Sequence, residues 1–540
     1  MGETHKYDEE MHVPFRLPAA SLYVPANTPR HKGMIIAVKM RTKTGRSRHI
    51  VNVEIKTRIH YTIYALELLA HLSIIIMDYF KQPVPGDQVR TIGNHTFTWT
   101  DQHIPKSQTD PLRFECDELG AAAVKKIQAI HEQLRSEGHQ VNRGDLFETL
   151  SQYHDQDDDL SQLWQETHYV PEWVDWDQIA RGQRFFYRYA LANLIGFAFQ
   201  GFVGENSAST SVVEVLARTG GFSTRVLRRR LLETFQLVLQ VTHSLEYIKP
   251  GGSGHRSIIR VRLLHSMVRQ QILKVAASKC RFFDQDTHGI PINTLDSIHA
   301  IATFSCNHAW LQLPCMGITP DPQEVEDYIA LWRYVAHVIG SPQEYYTSAA
   351  QAKAVMESLA YNELFVTPTS VVIGHNFVEA LKDLPPINIS DGFIQAASRQ
   401  LNGHEICDQL GMGRPGLYAY ACFTGHCWFV SVLAMMQQWI PSFDERMIQL
   451  CREGLHGAII HSNQGLGGGS ILDFKYVPDG RIQGKEKSGR MEGMLWFFER
   501  PLEMIYFVVF VIGCLVILGG SLGVAQLVTV GISGSQRLFL

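Results

Sequence analysis

The chain has 540 residues, of which 45% are apolar and 19% charged, with a net charge of −4. A chain of this size and apolar content buries a large core, as one enlarged domain or as a few, and without a basic surplus no nucleic-acid partner is expected. The nine cysteines are scattered, odd in number and without a CxxC pair, which excludes a disulfide framework and a zinc ribbon and points to reduced thiols on a cytosolic face.

Residues 1–30 are polar and Pro-bearing and read as a poorly ordered arm without the apolar run of a signal peptide. Basic residues crowd from Arg30 to Arg58 with Glu54 as the sole acid, a solvated face or a contact for anionic lipid headgroups. Ile59 to Phe80 is strongly apolar with a helical period, but Glu67, His71 and Asp78 make a spanning helix costly. A buried or interfacial helix is the better reading. Residues 81–111 read as loop, Asp117 to Glu137 as a helix, and Glu137 to Trp176 as an acidic, loop-rich stretch. Within that stretch Asp155, Asp157, Asp159 and Glu166 have calcium-loop spacing, yet Leu160 stands where Gly makes the turn. His404-Glu405 has Asp408 in place of a second zinc-binding His, and the Gly-rich runs at 251–254 and 465–469 lack the Lys-Ser/Thr of a phosphate loop.

Dense helical periodicity begins near Trp176. It predicts helices at 177–202, 208–218 (carrying Glu214), 224–242, 257–278, 295–313, 322–340, 346–361, 390–401 and 418–438, and alternating strand patterns are scarce, so the fold class is all-α. On the 224–242 helix Leu227, Arg230, Thr234, Leu237 and Val241 share one stripe with Glu233 at its edge. Polar groups on an inward stripe are paired or functional. The 257–278 helix, with Ser257 as its expected N-cap, presents Ile258, Val261, His265, Val268 and Ile272 on one face, and Arg262 and Arg269 flank His265. A buried imidazole beside cations suits a metal centre that bears anionic groups. It equally suits a satisfied core histidine with solvated arginines, and spacing alone does not decide.

The last element is the clearest. Ile505 to Ile532 runs for 28 residues without a charge, enough to span a bilayer with tilt to spare. Lys475, Arg481, Lys485, Lys487, Arg490 and Arg500 precede it and only Arg537 follows, so a C-terminal anchor with the globular part in the cytosol is expected.

At RVRLLHSMVR (260–269), with RRRLLETFQLV (228–238), the sequence resembles the latex clearing protein and rubber oxygenase family, and more closely its fungal ER-bound relatives of the mpaB type. VDWDQIARGQRFFYRYALANLIGFAFQGF, LARTGGFSTRVLRRR, VEDYIALWRYVAHVIG and LNGHEICDQLGMGRPGLY support it, and the resemblance covers roughly 175 to 440. It implies a helical domain around a b-type haem, with His265 matching the proximal iron ligand and O2 as co-substrate. Arg262 and Arg269 become candidates for the haem propionates. Rubber-cleaving members carry an Arg-x-x-Lys-Thr motif about thirty residues before that His; here the matching residues are Arg230, Glu233 and Thr234, so Glu replaces the Lys and a Lys-capped resting state is put in doubt. The family's upstream glutamate falls on Glu214.

The resulting domain reading is 1–110, a basic arm with an apolar helix; 111–174, a connecting region; 175–440, the haem-binding catalytic domain; 441–503, an extension; and 504–532, the transmembrane helix. The expected function is oxidative C=C cleavage of a lipophilic, isoprenoid-like substrate by a membrane-anchored haem oxygenase, with the endoplasmic reticulum as the expected membrane. Arg230 and Thr234 would orient oxygen, and Glu214 or Glu233 would relay a proton. The alternatives are a haem-dependent hydroxylase or dehydrogenase on the same ligand set and a non-catalytic membrane-tethered scaffold.

Overall fold

The computed structural model describes residues 88–139, 145–220, 224–279, 282–384, 388–473 and 500–536. The basic stretch 30–58 and the apolar stretch 59–80 lie outside the described residues. Among the described residues the one sheet is a hairpin, β1 (Val89–Ile92) paired antiparallel with β2 (His95–Thr98). Gly93-Asn94 forms its turn, in a stretch read above as loop. The other named elements among the described residues are helices, as the periodicity implied.

Carboxylate and hydroxyl caps set where helices begin, because they accept from the orphan N–H groups of the first turn. Asp117 caps α1 (Glu118–Ser136) by accepting from Gly120 N. The stretch expected to be an acidic loop folds as α2 (Leu146–Tyr153) and α3 (Asp158–His168), capped by Asp145 and Asp157. The calcium-like spacing is thereby accounted for: Asp157 caps α3 and pairs with Lys126 at 2.8 Å, and Glu166 pairs with Arg262.

The expected helix over 177–202 is broken. Helix α4 (Trp176–Arg188) gives way at Tyr189 to α5 (Ala190–Gly196), and the chain then widens into a π-helical segment over Phe197–Asn206. Next come α6 (Thr210–Arg218), α7 (Thr224–His243), α8 (Ser253–Ser278) and α9 (Thr294–Asn307), which widens again over His308–Gln312. Helices α10 (Pro322–Ile339) and α11 (Ala349–Glu363) follow. Then α12 (Pro368–Leu381), absent from the sequence reading, is set by Pro at its first turn and a Thr367–Ser370 capping box. The chain ends in α13 (Asp391–Asn402), α14 (Leu417–Trp439), the further unanticipated α15 (Pro441–His456), and α16 (Pro501–Gln536).

The core is one continuous cluster running from α1 to α16. Helices α4 and α10 form its spine: Trp176 meets Tyr334, Phe185 stacks on Tyr328, and Arg188 pairs with Glu324, so the contacts run antiparallel. Each such aromatic contributes about 1.5–3 kcal/mol by leaving water. Among the described residues two helices, α14 and residues 501–519 of α16, are long and apolar enough to cross a membrane, α14 with half of its window buried in the protein.

Candidate functional site

Helix α8 starts four residues earlier than its sequence suggested, at Ser253 after Gly252. The glycines read as loop serve a close approach: a Cβ on Gly254 would lie 2.7 Å from the carbonyl oxygen of Gln240 on α7. Ser257, expected as N-cap, instead sits one turn inside and donates its hydroxyl to Gln240 Oε1 at 2.6 Å. The chain thus folds back from the end of α7 into the start of α8, forming an antiparallel hairpin.

His265 lies at the middle of α8. Ile258, Leu263, Val268 and Ile272 around it are buried, and Val268 and Ile272 cluster with Val215 of α6, so the helix that carries Glu214 packs on the face that carries His265. The ring keeps some accessible surface, and neither of its nitrogens takes part in a hydrogen bond among the described residues. Burial, and secondly the charge of Arg269, push its pKa down to about 4. At neutral pH it is a neutral imidazole with an uncommitted lone pair, the form that binds iron or zinc. Among the described residues there is no cluster of three or more metal-ligating side chains.

The arginines turn to a neighbouring face. Arg262 is buried and grips Asp117 with Nε and Nη2, both at 2.8 Å, and Glu166 with Nη1 at 2.8 Å. Its guanidinium lies under Gly340, which ends α10 at φ 79° and where a Cβ would come within 2.6 Å of it. Arg269 donates to the carbonyls of Pro291 and Ile292, at 3.2 and 2.8 Å, and to that of Asp117 at 3.4 Å. The expectation of propionate partners is therefore corrected. Both side chains serve to pin α8 to the capped start of α1 and to the 291–292 loop, and their donors are taken by acceptors of the protein. Tested against haem, the residues fit at the axial position, His265, and do not fit at these two arginines.

On α7 the stripe is more tightly bound than expected. Glu233 is buried rather than at an edge; Arg229 and Arg230 donate to it at 3.0 and 2.8 Å, and so does Ser470 Oγ at 2.8 Å. Arg230 also donates to the carbonyl of Asp473 at 3.1 Å. Thr234 donates to the carbonyl of Arg230 in its own helix, at 3.0 Å. Glu214 on α6 pairs with Arg218 at 2.7 Å, and Arg218 reaches the carbonyl of Phe282. Glu233, offered as a proton relay, is a carboxylate whose oxygens are already engaged by two guanidinium groups and a hydroxyl.

The strongest polar constellation was invisible in the sequence. The two π-helical segments meet where Gln312 donates to Gln200 Oε1 at 2.7 Å, and beside them Glu205 accepts from His299 Nε2 at 2.7 Å, Thr303 Oγ1 at 2.8 Å, Gln200 Nε2 at 2.8 Å and the Asn307 amide. Burial opposes ionisation of Glu205, but His299 and the other donors outweigh it and hold the carboxyl below its usual range. Burial likewise opposes protonation of His299, and Glu205 outweighs it in the other direction. Glu205 lines a cavity of about 240 Å³ together with His95, Gln200, Trp310, Met356, Glu357 and Leu401 among others, and Glu357 accepts from His95 and His103. None of the residues singled out from sequence lines this cavity. Wide π turns recur at functional sites; here one of them places a buried, fully bonded carboxylate in the wall of a cavity of mixed polar and apolar lining.

Residues 187–432 match the family model of the ER-bound oxygenase mpaB/B′ and rubber oxygenase catalytic domain. The chain is 24% identical over 270 residues to the rubber oxygenase of Streptomyces sp. (strain K30), an alignment that takes in 47% of this chain and 61% of that relative. It also aligns with the solved latex clearing protein LCP in the closed state, at 17% identity and a TM-score of 0.48, over 63% of this chain and 91% of that one.

Proposed function

Residues 187–432 belong to the mpaB/B′ and rubber oxygenase catalytic-domain family, and from that premise we propose that the chain is a haem-dependent oxygenase acting with O2 on a lipophilic, isoprenoid-like substrate. The observation that carries the reading is His265: a neutral, mid-helix imidazole with no hydrogen-bond partner among the described residues, in the segment that matches the family's proximal histidine. Haem held there would supply the activation of O2. The chain's own part is positional. Arg262 and Arg269 fix the height and rotation of α8 by their contacts with Asp117 and the 291–292 carbonyls. Thr234 spends its proton on the helix and keeps its oxygen lone pairs as acceptors. Glu233 cannot act as a distal lysine would, because its carboxylate is bound by Arg229 and Arg230.

The finer reading is cleavage of an alkene to two carbonyl fragments. The same Glu233 favours a second reading, hydroxylation or dehydrogenation with the substrate skeleton kept whole, since the lysine of the cleaving relatives is missing. Helix α16 anchors the protein in a membrane, the endoplasmic reticulum in this reading, with the catalytic domain on the cytosolic side, where a lipophilic substrate partitions.

The test is the absorption spectrum of the full-length protein, wild type and His265→Ala, before and after dithionite and carbon monoxide. A Soret band that shifts with CO and disappears in the variant supports the reading, and product mass then separates cleavage from hydroxylation. A well-folded wild type that binds no added haem refutes it and leaves the membrane-tethered scaffold.

A further inference from the structure

Helix α14 carries an apolar surface that the globule does not cover. Phe429, Val432, Met435, Met436, Trp439 and Ile440 are all exposed, Trp439 at 74%. Their spacing puts them on one side of the last three turns. These turns end at the point where Pro441 reverses the chain into α15.

The neighbour of this surface is α16. Tyr418 lies on Phe507, Gly425 against Tyr506 and Phe510, and Trp428 on Phe510 and Gly513, so the contacts advance in the same direction along both helices and the two run parallel. Carried forward, the contact of Trp428 with Gly513 sets Val432 level with Ile517 and Trp439 about six residues beyond Leu518. Around the level of Val432, α16 is exposed as well, at Leu515, Val516 and Ile517, Val516 at 67%. Two parallel helices therefore leave the body of the protein side by side, both apolar on the outside.

We propose that the tip of the α14–α15 hairpin is a second membrane contact, set into the headgroup and acyl boundary of the leaflet that α16 enters. The proposal rests on the reading of α16 as an anchor. A bilayer is the occupant favoured over a protein because the surface is continuous with the uncovered run of α16, and a lipid that surrounds one surrounds the other. The chemistry also limits the depth. Glu445, four residues after Pro441 at the start of α15 and paired with Arg184 at 2.7 Å, is exposed, so the hairpin suits the boundary and not the hydrocarbon interior. Trp439 and Ile440 lie at the tip, beyond the level at which Gln437 bonds Asp444, and Trp439 supplies the amphipathic ring that favours such a boundary. An insertion of about 5–10 Å is what an interfacial helix achieves. The contact would fix the tilt of the catalytic domain on the membrane, which a single anchor helix leaves free to swivel.

The experiment uses the full-length protein in phosphatidylcholine nanodiscs, with ordinary or brominated acyl chains, as wild type and as Trp439→Phe. Tryptophan fluorescence of the wild type should show a component quenched by bromine that is missing in the variant. Trp439 is exposed, so its replacement by Phe leaves the fold intact, and far-ultraviolet circular dichroism checks this. Equal quenching in the two proteins, with the chain still in the discs, overturns the proposal and spares the anchor. Equal quenching together with a dimer by light scattering assigns the surface to a second copy. A full-length chain that fails to enter the discs at all removes the anchor reading, and the hairpin contact with it.

Discussion

Arg262 is the residue whose role changes most between sequence and structure, and the two roles make opposite predictions. As a cofactor contact, Arg262→Met would cost haem and leave the apoprotein as stable as before. As the pin of α8, it is 3% exposed and holds Asp117, 14% exposed, through two bonds of 2.8 Å. Breaking a buried pair by removing one partner costs about 3–5 kcal/mol, because a charge is left without its counter-ion. Glu166 adds little, since it is 39% exposed and water screens it. Asp117 keeps its cap bond from Gly120 N at 3.0 Å, so the lower end applies, about 3 kcal/mol. The assay is chemical denaturation of the haem-free, full-length protein followed by circular dichroism, for Arg262→Met, Asp117→Asn and the pair. Asn still caps a helix, so Asp117→Asn removes mainly the charge, and the double variant should fall short of the sum by about 1–3 kcal/mol. Unchanged stability in Arg262→Met with strict additivity in the cycle would sink the structural assignment and return Arg262 to the cofactor.

Three further outcomes follow from the same geometry. Glu205→Gln leaves His299 without its anion and should lower stability at neutral pH by about 3 kcal/mol or more, with the midpoint of thermal unfolding as the readout; a shift under one degree would contradict the ion pair. His308 is buried, bonded to the Tyr328 hydroxyl at 2.9 Å, and pushed by burial down to about 3. The unfolded chain therefore binds a proton that the folded one does not between about pH 6.5 and 3, so stability is full above 6.5 and falls on acidification by about 1.4 kcal/mol per unit. His308→Gln should flatten the slope over that window by one proton. Gly425→Ala places a methyl against the Tyr506 carbonyl where α14 crosses α16. It should loosen the pair by about 1–3 kcal/mol and speed proteolysis before Pro501, whereas unchanged cleavage kinetics would mean that α16 is not seated on α14.

What could be read from the chain divides by the distance over which the cause acts. Helices α1, α7, α10, α13 and α14 were legible to within a few residues because their periods and caps are local, as with Asp117 and the left-handed Gly340. The errors come from residues with two local meanings. Pro441 and Pro368 stand outside the predicted helices, yet each occupies the first turn of a helix, where its missing N–H costs nothing. Gly251 to Gly254 looked like loop, yet Gly254 is a helical residue selected for closeness to Gln240. The π segments left no signal, because Phe197–Asn206 keeps an apolar run that suits a straight helix as well.

The site shows the same division more sharply. His265 could be singled out because one helix face and one motif are local, and its unpaired, neutral state is consistent with that choice. The arginines on either side could not be assigned, since the partners that decide their role, Asp117 and Glu166 for Arg262 and the 291–292 carbonyls for Arg269, are remote in sequence. A charged residue near a candidate ligand is ambiguous until the counter-charge is located. An Arg whose donors are already taken by protein acceptors gains little from an added anion, because the new bond must replace an existing one. By that argument, a haem on His265 would have its propionates held by groups other than Arg262 and Arg269, and substituting either arginine should change the stability of the apoprotein more than its affinity for haem. Parallel titrations of haem into the two arginine variants and the wild type, corrected for the folded fraction, would reveal a direct contact as a loss of affinity that the correction does not remove.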